Sequence, residues 1–176
     1  AKRWDGIEEI PGNMGWENEQ FQKAMEDVGW DEGLAWCAFF VKMIYYKVFG
    51  NTEYGSSILE LFNGSAVSTF TGCKNDPRWY TDHQYPVAGS VVIWRKKPHP
   101  WHGHAGIVIE PGAGQVGSFF KSIEGNTNDE GTRVGKEVAV RTRMNNHGST
   151  YSGLVVEGFI FPPIPLEKLD PQIVML

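Results

Sequence analysis

The amino-acid sequence predicts an α+β domain in which N-terminal helices pack on an antiparallel sheet of five to six strands. Two observations predict this class. Apolar residues recur at helical spacing in the first third of the chain, whereas after Pro86 they form short runs separated by Gly, Pro and Asn. Helices followed by a series of strands are typical of α+β folds. The chain has 176 residues, 41% of them hydrophobic, which is the length and composition of one domain.

Three helices are predicted before the strands. The apolar residues of 17–28 lie on one helical face with charged residues between them, and residues 34–49 form the most apolar helix candidate. A shorter helix is expected over 57–62. A glycine-containing turn should separate the first two helices, and Gly50 should cap the end of the second.

The strands are expected in the runs rich in Val, Ile and aromatic residues that follow Pro86. They cover residues 90–95, 104–110, 117–123, 137–142 and 154–161. Residues 1–162 would then form the domain. The proline-containing residues 163–176 are expected to be an extended tail on its surface.

Composition and charge argue against two classes of partner. The net charge is −5, and the longest basic stretch, Arg95-Lys96-Lys97, is too short for a nucleic-acid footprint. No apolar run approaches the roughly 18 residues that cross a bilayer, and the first residues lack the apolar stretch of a signal peptide. We therefore expect no nucleic-acid partner and no membrane span. A monomer is also expected. A leader removed earlier and delivery by another protein both agree with this sequence.

The chain has two cysteines, Cys37 and Cys73, which is too few for a disulfide framework. A bond between them would silence a working thiolate, so both are expected to be free. Cys37 lies near the start of the second predicted helix. Unpaired main-chain N–H groups and the positive end of the helix dipole stabilise a thiolate there, and the thiolate is the form that attacks a carbonyl. A buried structural cysteine is the alternative at this position.

Two later segments supply polar partners for a thiol. His104 begins a predicted strand in segment 101–109, and strand alternation places His104 and Gly106 on one face. The small neighbours should leave room for a substrate backbone. At the end of the next strand, Glu124 or Asn126 would lie near His104 and hold the imidazole in the tautomer that accepts a proton from the thiol. Taken singly, these segments are also explained by a structural histidine and a solvated turn.

The order of these residues resembles the CHAP family (cysteine, histidine-dependent amidohydrolases/peptidases) and its NlpC-type relatives. The resemblance covers residues 5–162 and rests on three motifs. They are Trp36-Cys37-Ala38-x-Phe40-Val41, Gly103-His104-Ala105-Gly106-Ile107-Val108 and Ile123-Glu124-Gly125-Asn126-Thr127. The family implies a papain-like half-domain, and we expect no cofactor.

The resemblance implies a role for each matched residue. Cys37 would be the nucleophile, and His104 the general base and then the general acid. Glu124 would orient His104 with Asn126 as a fourth, polarising member, and the choice of third member stays open between them. The oxyanion is expected at the main-chain N–H of Cys37. Many relatives have glutamine where this chain has Trp36, so no side-chain oxyanion donor is evident, and Trp36 is a candidate substrate contact instead.

The family also implies the substrate, which is bacterial peptidoglycan. The bond would be the muramoyl–alanine amide or an amide within the stem or cross-bridge peptide. Asn13, near the expected substrate groove, is a second candidate contact and is equally explained as a turn residue. The protein would act at the bacterial cell wall, extracellular or periplasmic, and be secreted or phage-encoded.

Three alternatives compete with this interpretation. His99, His102 and His104 form a His-x-x-His-x-His pattern, to which Cys37 could add a fourth ligand in a zinc-dependent amidase. The neighbouring prolines favour an extended loop there, so we expect no metal. A non-catalytic peptidoglycan-binding module would keep the groove, but it has no chemical need for a thiol beside an imidazole. Transfer of an acyl group to an amine, in place of hydrolysis, is also open.

Overall fold

The computed structural model describes residues 1–97, 99, 101–127, 135–147 and 153–164. Within these residues the chain forms four α-helices and six β-strands, after a 3-10 turn at Lys2–Trp4. The helices are Glu19–Glu26 (α1), Cys37–Phe49 (α2), Gly55–Leu61 (α3) and Ala66–Asn75 (α4). The strands are Thr81–Asp82 (β1), Val91–Lys96 (β2), Gly103–Glu110 (β3), Phe119–Thr127 (β4), Glu137–Met144 (β5) and Leu154–Ile160 (β6).

The strands form one antiparallel sheet in the order β1-β6-β2-β3-β4-β5. The larger apolar core lies between the helices and one face of this sheet, where Ala105, Ile107 and Ile123 are buried. The opposite face carries a smaller cluster that includes Trp94 and Val108. Alternation along β3 is thus as predicted, since neighbouring residues belong to different cores. The predicted α+β class is confirmed.

The topology brings the start of α2, the start of β3 and the end of β4 together at one end of the strands. Helix α2 packs against both β3 and β4. Because β3 and β4 are antiparallel and pair Gly106 with Glu124, the first residues of β3 lie beside the last residues of β4. Cys37 is the first residue of α2, so its side chain is held at the same end.

Helix α2 begins three residues later than the apolar pattern predicted. The carbonyl of Leu34 accepts a hydrogen bond from Trp30 Nε1 at 2.9 Å, and the Leu34 side chain is exposed, so this residue belongs to the preceding turn. Gly50 caps the helix as predicted, but in the right-handed helical conformation with φ −61°. Glycine is required there by space, since a Cβ would clash with the carbonyl oxygen of Tyr46.

Helix α4 was not predicted from the sequence. Its Ser, Thr and Gly content is typical of a loop, because these residues have low helix propensity. Two features were nevertheless present: Ser65 accepts a hydrogen bond from the Ser68 N–H as an N-cap, and Ala66, Phe70 and Cys73 recur on one buried face. Strand β4 also extends to Thr127, beyond the predicted end at 123, and strand β1 was not predicted.

The predicted tail at 163–176 falls almost wholly outside the described residues, of which 163 and 164 are the last. The domain boundary at 162 therefore stays a prediction. No helix of the described chain is long and apolar enough to cross a membrane.

Candidate active site

Cys37 sits at the positive end of α2 with its side chain largely buried. It is 8% exposed, and main-chain N–H groups of Ala38 and Ala105 donate to its sulfur. The first amides of a helix have no partner within the helix, so they are free to stabilise a negative charge. The thiol also hydrogen-bonds the imidazole of His104.

His104, the second residue of β3, is held on two sides. Its Nε2 donates to Glu124 Oε2 at 2.9 Å, and its ring stacks on Trp94 with centroids 5.5 Å apart. Because Nε2 is engaged by Glu124, Nδ1 is the nitrogen left for Cys37. A carboxylate on one imidazole nitrogen fixes the tautomer that serves the thiol on the other.

Glu124 is fully buried and every contact it makes stabilises its charged form. Arg143 forms a bidentate ion pair with Glu124, with Nε at 2.9 Å from Oε1 and Nη2 at 2.5 Å from Oε2. Ser122 Oγ donates to Oε1 at 2.6 Å, and Thr127 Oγ1 to Oε2 at 3.3 Å. Burial by itself would raise the pKa of this carboxyl, but the hydrogen bonds from Arg143 and His104 lower it to about 2.

Gly106 makes room for this carboxylate, where the sequence had suggested room for a substrate backbone. The two residues are paired across β3 and β4. A Cβ at position 106 would lie 2.7 Å from Glu124 Cγ, so any larger residue would displace the glutamate.

The electrostatics favour a thiolate–imidazolium pair. Burial by itself raises the pKa of the Cys37 thiol, but the charge of His104, its hydrogen bond and the two main-chain donors outweigh burial and hold the pKa below its ordinary value. Burial likewise lowers the pKa of His104, but Cys37 and then Glu124 raise it to about 9. Both shifts favour moving the proton from sulfur to nitrogen.

Asn126 lies at the end of β4 and lines the same cleft as Cys37. It adopts φ 51°, a left-handed conformation that asparagine tolerates better than most residues. Its side chain is 6% exposed, and Oδ1 has no hydrogen-bond partner among the described residues. The residue in contact with His104 is therefore Glu124, whereas Asn126 presents an unused acceptor beside the thiol.

The two candidate substrate contacts lie elsewhere. Trp36 is fully buried, packs edge-on against Trp16 and donates from Nε1 to Glu9, so its ring faces the core and does not line the cleft. Asn13 occupies a tight turn at φ 56°, where its carbonyl accepts from the Gly33 N–H at 2.7 Å, and it also lies outside the residues that line the cleft.

A cleft of about 180 Å³ opens beside the thiol. Its lining includes Cys37, His104 and Asn126 together with residues 64–66 at the start of α4. Lys96, at the end of β2, and Trp101, which is 66% exposed, also line it. Because Cys37 lines this cleft, a substrate bound in it would lie beside the thiol.

Arg143 was not predicted as a site residue, although a signal for such a residue was present in the sequence. Glu124 was predicted to lie at a strand end beside His104, and a carboxylate that is buried there needs a cation, since an unpaired buried carboxylate is costly. Arg141 and Arg143 lie two residues apart on β5, the strand that pairs with β4, and therefore project from the same face. Nothing in their spacing indicates which of the two reaches Glu124, because that depends on the register of β4 and β5.

The histidines at 99, 102 and 104 do not form a metal-binding group in the described structure. No group of three or more His, Cys, Asp or Glu side chains that could hold a metal ion occurs among the described residues. His104 is directed at Cys37 and Glu124, and the His99 ring lies against Trp101 and His102. The geometry thus gives no support to the zinc interpretation.

The match to a family model agrees with the sequence motifs. A family model described as the CHAP domain matches residues 29–126, which is more than half of the chain and contains Cys37, His104, Glu124 and Asn126. Among solved structures, the crystal structure of a wild-type endolysin, LysIME-EF1, aligns with 82% of this chain at 20% identity and a TM-score of 0.48. The chain spans 65% of the length of that endolysin. A comparison with curated protein sequences finds no match.

Proposed function

The chain belongs to the CHAP domain family, and we propose that it is a peptidoglycan hydrolase that cuts an amide bond of the bacterial cell-wall peptide through a cysteine nucleophile. The observation that carries this proposal is the contact of the Cys37 thiol with His104, at a helix start and beside an open cleft. Family membership supports the substrate class, and this geometry supports the mechanism.

The proposed reaction has two stages. The Cys37 thiolate attacks the amide carbonyl, the carbon–sulfur bond forms, and the oxyanion is stabilised by main-chain N–H groups at the start of α2. The His104 imidazolium gives its proton to the amine as the carbon–nitrogen bond breaks. His104 then takes a proton from water, which attacks the thioester and releases the carboxylic acid and Cys37. Glu124 stays ionised throughout and orients His104, and Asn126 contacts the substrate amide.

We further propose that residues 1–162 act as one catalytic domain and as a monomer at the bacterial cell wall. Glu124 supports this extent, because its ion pair with Arg143 brings β5 into the site beyond the matched residues 29–126. A binding module without catalysis has no use for the low pKa of Cys37.

The test is mass spectrometry of the soluble fragments released from purified peptidoglycan by the wild-type protein and by Cys37→Ser. We expect fragments from the wild type only. New amino termini within the peptide identify an endopeptidase, and free muramoyl groups identify the muramoyl–alanine amidase. Products joined to an added amine would indicate acyl transfer. A wild-type protein that sediments with peptidoglycan and releases nothing would overturn the hydrolase in favour of a binding module.

A further inference from the structure

The cleft beside Cys37 is lined by basic side chains and by no acidic side chain of the described residues, although the chain as a whole carries a net charge of −5. Four basic side chains line it: Lys96, His102, His104 and Arg143. No aspartate or glutamate of the described chain is among its lining residues. Because a cleft with walls of low dielectric constant concentrates the field of its charges, this arrangement attracts anionic ligands.

Lys96 supplies the positive charge that is not balanced inside the protein. Arg143 is neutralised by its ion pair with Glu124. Arg95, the neighbour of Lys96, is paired with Glu157 at 2.6 Å. Lys96 is partly buried and, among the residues that the structure describes, no carboxylate lies within ion-pair distance of its ammonium group. A partly buried cation without an ion-pair partner in the protein favours the binding of an anionic ligand.

The other walls suit a peptide that carries a carboxylate. Residues 64–66 bring the start of α4 to the cleft, and its positive dipole end adds to the field of Lys96. Trp101 is a flat, exposed ring that can cover an aliphatic chain. On the thiol side, the buried and unpartnered Oδ1 of Asn126 offers an acceptor for a peptide N–H.

We propose that Lys96, Trp101 and residues 64–66 form a subsite, here called the Lys96 subsite, for a free carboxylate of the substrate peptide. The enzyme therefore prefers stem peptides whose carboxylates are free over those in which they are amidated. The identification of the anion as a peptide carboxylate rests on the proposed function. The charge distribution of the cleft is independent of it.

The test compares two synthetic stem tetrapeptides of identical sequence, L-Ala-D-Glu-diaminopimelate-D-Ala, one with free carboxylates and one with every carboxylate converted to carboxamide. Both are titrated calorimetrically into the full-length protein carrying Cys37→Ala, which prevents turnover. We expect the free-carboxylate peptide to bind about tenfold more tightly or better, with a preference that shrinks as salt is added. Lys96→Gln should abolish the preference, Lys96→Arg should retain it, and the exposed neighbour Lys97→Gln is the matched control.

Equal affinity for the two peptides, no binding of either at millimolar concentration, or an unchanged ratio in folded Lys96→Gln would each overturn the subsite. Its failure is distinguishable from failure of the proposed hydrolase. A wild-type protein that cleaves peptidoglycan without this preference refutes the Lys96 subsite alone. A protein that cleaves nothing, yet shows a Lys96-dependent preference in binding, refutes the hydrolase alone.

Discussion

The two cysteines of this chain lie at opposite ends of their helices and have opposite chemistry. Cys37 is the first residue of α2, whereas Cys73 lies in the last turn of α4. Both are free thiols and both are buried, with 8% and 0% of their surface exposed. Burial acts on both in the same direction, yet the pKa of Cys37 is lowered and that of Cys73 is raised to about 12.

The difference comes from what surrounds each sulfur. Beside Cys73, burial is reinforced by the negative charge of Asp76 at the negative end of the helix dipole. Beside Cys37, burial is outweighed by His104 and by main-chain donors at the positive end of a helix. Burial therefore does not make a cysteine reactive or inert, since the sign depends on the neighbouring charges. Replacing a neighbour of either sulfur, or the sulfur itself, should therefore change the reactivity of that site alone.

The largest expected effect separates the two thiols by activity. Cys37→Ser should lower the rate of peptidoglycan cleavage by a factor of about 10⁴ or more, because a serine hydroxyl stays protonated in this setting. Cys73→Ser should keep activity within a few-fold of the wild type. Turbidity loss of purified peptidoglycan measures both, with circular dichroism as the check of folding. A dead Cys73→Ser and an active Cys37→Ser would reverse our assignment.

The second prediction compares the sulfurs without reference to any substrate. At pH 7, iodoacetamide should alkylate Cys37 roughly a hundredfold faster than Cys73, because the thiolate is the reacting form. Peptide mapping by mass spectrometry measures the two rates. In urea both residues should react equally, which serves as the control for intrinsic reactivity.

The exposure of the two cysteines also differs slightly, and this alone could make Cys37 react faster. The variant His104→Ala tests whether charge or solvent access controls the alkylation rate of Cys37. Removing the imidazole opens the site but leaves burial unopposed by its charge, so the pKa of Cys37 should rise. Its alkylation at pH 7 should then slow rather than accelerate. A faster reaction in His104→Ala would mean that access, and not the thiolate fraction, controls Cys37.

The sequence predicted the contact of Cys37 with His104 because both lie at element ends whose position follows from the order of helices and strands. A cysteine at a helix start and a histidine at a strand start meet once the helices cover one face of the sheet. The alternation of β3 was also predictable, since it depends only on the period of the strand.

The remaining features depend on packing that a single sequence does not reveal. Arg143 reaches Glu124 because β5 pairs with β4 in the register Ser122↔Arg141, and register depends on the connecting turn and on burial. The orientation of Trp36 was equally open, since a ring next to a helix start can face the cleft or the core. It faces the core because α2 begins at Cys37 and the Trp36 ring joins Trp16 and Phe21.

The third prediction concerns the residue that orients His104. Glu124→Gln should lower kcat/KM by roughly ten- to a hundredfold, the effect of losing one charge-assisted hydrogen bond. This loss is smaller than that of Cys37 because an amide oxygen still accepts from Nε2. Asn126→Ala should mainly raise KM, since its Oδ1 accepts no hydrogen bond from any described residue and is proposed to contact substrate. A larger loss of kcat in Asn126→Ala than in Glu124→Ala would make Asn126 the orienting residue.

The smallest expected effect is a shift in the pH profile, and it tests the charge argument most directly. The pKa of His104 is raised to about 9, so the imidazolium is present below that pH and is lost as the pH rises through it. Cleavage should therefore increase as Cys37 loses its proton and decline above about pH 9. In Glu124→Gln the carboxylate no longer favours the imidazolium, and the alkaline limb should move to lower pH by up to about one unit. The pH dependence of Cys37 alkylation reports the same ionisation without turnover. Its rate should rise in a step at the pH where the thiolate–imidazolium pair forms. Since Cys73 has neither partner, its alkylation should rise steadily with pH in both proteins. An alkaline limb that does not move in Glu124→Gln would mean that Cys37 and not Glu124 sets the pKa of His104.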